Sequence, residues 1–481
     1  MRRGLGFVLL AAAVAACEAR ADRRGATVLY ASGADLPSMN SLLTLLPLAK
    51  QVQKFAFLTT LARYDAGLVP QPYLARAWRW SQGGRELTFT LHSDVRWHDG
   101  QPTTARDVAW TIDAARDPAT QYPRVADLAD VATVTAPDDS TVVIRFRTPL
   151  GAAVGLPDVF TDLAILPAHL LDTVPRARMR SAAWNEHPIG NGPFRFVVHD
   201  PHRRWVFIRN PDFPASLGGP PALERFIVVV VDEPTAKLAA LTAGELDFAG
   251  ITAAHAAFVA RDPQLAVLDY PLIFPYGLVF NTRHPPFDDP RVRLAAALAI
   301  DRQEIVAGLA FGYATVADGP VPPTLPQFRP VPHIPFSPDS ARRLLGGRRI
   351  AFELLTVGSG EGALEQLLQA RLSAVGFDVR IRQVEFSAFF DRVYGQRHEF
   401  DAAAMGIPGD PGLGYFASLA SITGTALPPD LGAAQEAFAR ELPVAWLYHA
   451  RGVQGMNRRV RGVTMDQRGE LVTLTQWRTT P

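Results

Sequence analysis

The pair His98-Asp99 joins two side chains often used to move protons near neutral pH. An imidazole titrates close to working pH, and a carboxylate can orient it. Such chemistry needs a nucleophile within hydrogen-bond reach of the imidazole. Adjacent residues in a turn point apart, so the two are poorly placed to act as base and orienter. Gly100 follows, and His98-Asp99-Gly100 has the composition of a turn. The pair therefore reads as a surface turn. It lies between a strand that takes in Val95 and Trp97 and a helix capped by Thr104, where Asp107 completes a capping-box-like pair.

Asp410 is a second candidate. It follows the strand-like run FDAAAMGI (400–407), in a stretch without other charges from Ala402 to Gly409. A carboxylate at the lip of an apolar pocket can hold a ligand ammonium through charge-assisted hydrogen bonds. Asp-Pro and Pro-Gly are also turn dipeptides, and composition alone favours an ordinary turn aspartate. Other catalytic patterns are absent: no Walker loop, dinucleotide fingerprint, HExxH, paired CxxC or G-x-S-x-G elbow occurs. The 11 histidines show no metal-ligand spacing. No metal, no cofactor and no enzymatic turnover are expected.

The chain's start is a targeting segment. Arg2 and Arg3 precede an apolar run, Leu5 to Ala16, too short to span a bilayer and readable as a secretory signal over residues 1–16. It ends Val14-Ala15-Ala16-Cys17, which resembles the lipobox of bacterial lipoproteins, where the cysteine receives lipid. Cys17 is the only cysteine, so no internal disulfide can form. Residues 17–26 then read as a polar tether. Without Arg2 and Arg3, the 48 basic residues fall to 46 against 47 acidic ones, a balance of −1 that argues against a nucleic-acid partner. Lysine occurs only at 50, 54 and 237, which reads as codon bias.

The elements between these residues alternate. A length of 481 residues suggests about three folded units. TVLYA (27–31) is a compact strand, and Ser41 to Ala62 has apolar residues at helical spacing. Trp78–Leu91 and 131–146 read as hairpins. ERFIVVVV (224–231) suits a strand buried on both faces. A helix and the short strand LDFAG follow it, which points to a mixed α/β sheet. The second half repeats the logic. Strands are expected at 276–282, 348–359, 377–384, 400–407 and 442–450. Helices are expected after Asp289 and Asp301 and over 361–376.

Several ordered motifs make the chain resemble the peptide- and nickel-type solute-binding proteins of bacterial ABC importers, family 5. They are residues 67–110 around VRWHDGQPTTARDVAW, PIGNGPFRF, GELDFAG, YGLVFNTRHPPFDDPRVRLAAALAIDRQEI, FSPDSARRLL and LLQARLSAVGFDVRI. The likeness runs from about Val28 to Arg461. It implies an α/β, two-lobed periplasmic-binding-protein fold of type II, with mixed sheets joined by hinge strands and an extra inserted subdomain. Lobe one would take residues 27–276 with 446–481, including the inserted subdomain at about 45–185. Lobe two would take 277–445. A ligand would sit in the cleft and be enclosed by hinge closure.

The resemblance also implies roles. Met405-Gly406-Ile407-Pro408-Gly409-Asp410 matches the segment whose aspartate holds a peptide ammonium, so Asp410 inherits that role. Gly406, Ile407 and Pro408 lie on the ligand-facing backbone. Asp35 and Leu36 match another cleft segment. In two places the chain departs from the family. Ile407 stands where a tryptophan is usual. The region between Asp410 and Pro443 is short and lacks the usual Asn-x-x-x-Tyr-x-Asn-Pro stretch and its following helix. The implied protein is a monomeric, lipid-anchored periplasmic receptor that hands a peptide or similar solute to ABC permease subunits. An opine, sugar or nickel-chelate ligand, or a sensor or chaperone-like module, are the alternatives.

Overall fold

The computed structural model describes residues 26–44, 46–150, 155–358, 362–395, 397–428 and 430–480. The signal segment and Cys17 lie outside them. The chain forms two compact units, one of residues up to Leu268 with Val453–Pro481, the other Asp269–Gly452.

In the first unit, the strand Thr27–Ser32 runs parallel to Arg225–Val230 in the register Thr27↔Arg225 to Ser32↔Val230. It also pairs in parallel with Phe248–Gly250, and that strand takes Gln454–Met456 of Val444–Asn457 antiparallel. Arg204–Arg209 and Phe194–Asp200 extend the other edge antiparallel. Phe226, Ile227 and Val228 are all buried, as a β-branched run covered on both faces requires. Leu29, Ala31, Ile227, Leu241 and Val259 form one core beneath the helix Pro234–Thr242.

A separate antiparallel sheet orders Ala75–Ser81, Glu86–Leu91, Thr141–Phe146 and Val131–Thr135. Leu87, Phe89 and Leu91 alternate inward, with the intervening residues less buried. The helix Ala105–Arg116 packs on it through Val108, Ile112 and Ala115, and Thr104 with Asp107 closes its capping box.

The expected helix over Ser41–Ala62 is shorter. It spans Pro47–Val52 and runs into a π-helical turn, Gln53–Phe57. Pro47 tolerates only a helix start, which explains the late beginning. This geometry brings Lys50 (3.1 Å), Lys54 (2.9 Å) and Arg124 (3.2 Å) onto the Asp162 carboxylate. Two of the chain's three lysines thus have a structural post.

In the second unit, Ile350–Val357 lies between Phe377–Val384 and Ala402–Gly406, parallel to both. Ala402–Gly406 pairs antiparallel with the end of Leu265–Phe280, Tyr276↔Gly406 to Phe280↔Ala402. Leu278, Phe280, Leu354, Ala402 and Ala404 join Leu368 and Leu372 of the helix Ala363–Ser373 in the core. Asp289 and Asp301 cap their helices with side-chain oxygens, as expected.

Two strands are longer than their sequence patterns: Leu265–Phe280 and Val444–Asn457. Pro271 and Pro275 hid the first, because proline normally demotes a strand reading. The short stretch after Asp410 is also not empty. It holds the helices Tyr415–Thr423 and Leu431–Glu441, the second capped by Asp430.

Candidate functional site

The segment inherited from the motif comparison begins as a strand and ends as a pinned loop. After Gly406 the pairing continues: Ile407 N–H donates to Pro275 O at 2.9 Å and Gly409 N–H to Ile273 O at 2.8 Å. Ile407 and Leu413 are buried and Pro408 is exposed. Gln327 Nε2 donates to Pro411 O at 3.0 Å, and Tyr415 Oη to Pro320 O at 2.9 Å. Asp410 Oδ1 accepts the Gly414 N–H at 3.1 Å, just before the helix Tyr415–Thr423. That bond engages one carboxylate oxygen. Burial, followed by the charge of Asp410, drives the Tyr415 phenol well above its ordinary value, so it stays a neutral donor. Loop and carboxylate are therefore held by contacts within the second unit.

Gly406 lies close against two partly exposed rings, which a side chain there would force to shift. A Cβ there would fall 2.1 Å from Phe274 Cε1 and 3.0 Å from Tyr276 Cδ2. Gly406→Ala should cost about 1–3 kcal/mol of stability through overpacking. A denaturant midpoint equal to wild type would contradict this.

Comparison with known proteins decides the family. The model of the bacterial extracellular solute-binding proteins, family 5, matches residues 69–425. The chain belongs to this family. An ABC transporter peptide-binding protein of Brucella ovis is 30% identical over 348 residues, covering 68% of this chain and 63% of its own length. The di/tripeptide-binding protein 2 of Pseudomonas aeruginosa is 28% identical over 369 residues, 71% of this chain and 68% of its own. This chain thus spans a little under two thirds of the length of the Brucella relatives. Among solved structures, the oligopeptide-binding protein AppA of Bacillus subtilis, in complex with a nonapeptide, superposes with a TM-score of 0.79 at 20% identity. The match covers 95% of this chain and 99% of that one. NikZ of Campylobacter jejuni, in complex with Ni(L-His), gives 0.78 at 21%, covering 94% and 99%. The fold is that of the family 5 binding proteins.

The other expected site residues of this family 5 chain lie in the first unit. Leu36 is buried. The Asp35 carboxylate accepts Trp205 Nε1 at 2.8 Å and His202 N–H at 2.9 Å, and lies 2.9 Å from His199 Nε2. The His199 ring stacks on Trp205 at 3.9 Å. Burial would raise the Asp35 pKa, but the bonds from His202, Trp205 and His199 outweigh it and hold the group below its ordinary value. Asp35 is thus occupied by protein donors, an arrangement that fixes its loop. The partners Trp205 and His199 sit in strands, and nothing in their spacing from Asp35 announced them.

His98 and Asp99 lie in a turn, closed by Gly100 N–H on Trp97 O at 2.8 Å, and take separate partners. The strand before it, however, ends at Leu91 rather than running through Val95 and Trp97, and His98 is partly buried rather than on the surface. His98 Nε2 is 3.0 Å from Gly192 O, and its ring meets Phe57 edge-on. Asp99 Oδ2 is 2.8 Å from His169 Nε2. Burial pushes the His98 imidazole down to about 4. The unfolded chain therefore takes the proton first, and stability falls as pH drops from about 6.5 towards 4. His98→Gln, which keeps a donor for Gly192 O, should flatten the dependence of unfolding free energy on pH in that window. The slope should fall by at most about 1.4 kcal/mol per pH unit. Hydrogen exchange of the amides around His98, corrected for the intrinsic rate at each pH, would show it, and parallel slopes would refute the assignment. Among the described residues no grouping of His, Cys, Asp and Glu could hold a metal ion.

Proposed function

We propose that this chain is an extracytoplasmic receptor that captures a small peptide with a free amino terminus and delivers it to an ABC importer, without covalent chemistry. The observation that carries the reading is the Ala402–Asp410 segment, where the strand Ala402–Gly406 runs on into a partly exposed loop that ends in a carboxylate held by its own unit. An extended peptide can pair with such backbone while the carboxylate takes its ammonium. The relatives named for peptide binding support the same class. The transporter partner is inferred from those names.

Native mass spectrometry of the purified full chain tests it. A retained mass matching a peptide is the expected result, and exchange with an added dipeptide should follow. A retained nickel chelate, opine or sugar, with no exchange, would overturn the peptide reading. Ile407 in place of the usual tryptophan favours this second class.

Lipidation at Cys17 would hold the receptor at the membrane. No helix among the described residues is long and apolar enough to cross one. Cys17→Ser expressed with its leader should appear in the soluble fraction, where wild type partitions into detergent. Unchanged partitioning would refute the anchor.

A further inference from the structure

We propose that Glu365, with Tyr276 and Tyr448, forms a second cation subsite in the same unit as Asp410, so that the ligand carries a basic side chain besides its amino terminus. This rests on the peptide reading above.

Ile350–Val357 and Ala402–Gly406 run parallel, so Thr356 and Gly406 both lie at carboxyl ends of strands. Ligands of open α/β sheets gather at that end. Glu365 sits in the first turn of Ala363–Ser373 and is only 8% exposed. Its Oε1 accepts Thr356 Oγ1 at 2.7 Å. Among the described residues no arginine, lysine or histidine forms an ion pair with it. Of the other buried carboxylates, Asp247 has Arg459, while Asp107 takes uncharged donors from three residues where Glu365 has one. Buried carboxylates are normally paired, and one hydroxyl with a helix N-terminus offsets the charge only in part.

Two tyrosines share this neighbourhood. The Tyr276 and Tyr448 rings stack at 5.1 Å with planes 10° apart, and both remain partly exposed. Burial first, and then the Glu365 charge among other causes, raises both phenols above their ordinary value. Tyr276 pairs in register with Gly406, where the segment towards Asp410 begins. Thr356, which holds Glu365, and Gly406, which leads to Asp410, thus lie at the same end of two adjacent parallel strands. A buried carboxylate with two phenol groups near it favours an ammonium or guanidinium, through charge-assisted hydrogen bonds. A ligand carboxylate would be repelled there.

The test compares the dipeptides Ala-Lys and Ala-norleucine, which differ by one ammonium, by titration calorimetry on the full chain. Wild type should bind Ala-Lys at least about tenfold more tightly. Glu365→Gln should lose that preference by weakening Ala-Lys alone. Thr356→Val, which keeps the carboxylate, should retain it and shows that a loosened helix start is not the cause. Equal affinity in wild type, or an unchanged preference in Glu365→Gln, would overturn the subsite while leaving the peptide reading intact. Binding of neither dipeptide by wild type would overturn both.

Discussion

Asp410→Ala is expected to weaken the binding of peptides with a free amino terminus by about 2–5 kcal/mol, the usual cost of removing one partner of a desolvated charge pair. Peptides acetylated at the amino terminus should bind wild type and variant alike. Asp410 also supports the fold, because its Oδ1 holds the Gly414 N–H at the start of the helix Tyr415–Thr423. Alanine therefore removes a helix-start hydrogen bond along with the charge, costing about 0.5–2 kcal/mol of stability. Asp410→Asn separates the two effects. Its carbonyl oxygen can still accept from Gly414, but it carries no charge for an ammonium. The asparagine variant should melt near wild type and yet keep at most about 0.9 kcal/mol of peptide-induced stabilisation at a peptide concentration 100 times the wild-type Kd. Wild type with peptide at 100 times Kd should gain about 2.7 kcal/mol. An asparagine variant with the full shift would remove Asp410 from the site.

Elements whose signals are local were legible in the sequence. The Thr104–Asp107 capping box, the Asp289 and Asp301 caps and the alternating Glu86–Leu91 strand all form where their patterns place them. Local chemistry failed where long-range packing decides. Leu265–Phe280 remains extended through Pro271 and Pro275, and Pro275 O accepts the Ile407 N–H. A pattern that treats proline as a break cannot register such pairing. Asp35 illustrates the same limit at a candidate site. The resemblance gives it a place in the cleft, and nothing in the sequence announced that Trp205, His199 and His202, more than 160 residues away, would supply donors to its carboxylate. Glu365 was invisible for the same reason. In sequence it is one acidic residue on an amphipathic helix, and only the fold sets it beside Thr356 and near Tyr276 and Tyr448.

Asp247→Ala is expected to cost the first unit about 1–3 kcal/mol, because the buried Leu29 N–H and the partly exposed Arg459 guanidinium lose their acceptor. Asp247 is fully buried at 0% exposure. Arg459 grips it as a fork, Nε to Oδ1 at 2.7 Å and Nη2 to Oδ2 at 2.6 Å, and Leu29 N–H donates to Oδ2 at 2.9 Å. Arg459 Nη2 also donates to Thr27 O at 2.7 Å. The backbone repeats the link, with Asp247 N–H on Leu29 O and Asn457 N–H on Asp247 O. One carboxylate thus ties the first strand, the strand start at Phe248 and the returning C-terminal segment, three pieces far apart in the chain. Such a loss is a measurable share of a typical stability of about 5–15 kcal/mol. Two units make a single unfolding transition unsafe to assume, so hydrogen exchange of the Leu29 and Asp247 amides is the suitable readout. Removing both charges in Asp247→Ala/Arg459→Ala should cost less than the sum of the single changes, because the guanidinium left without its acceptor goes with its partner. Simple additivity, or exchange in Asp247→Ala as slow as in wild type, would show that the backbone pairing holds these segments without the ion pair.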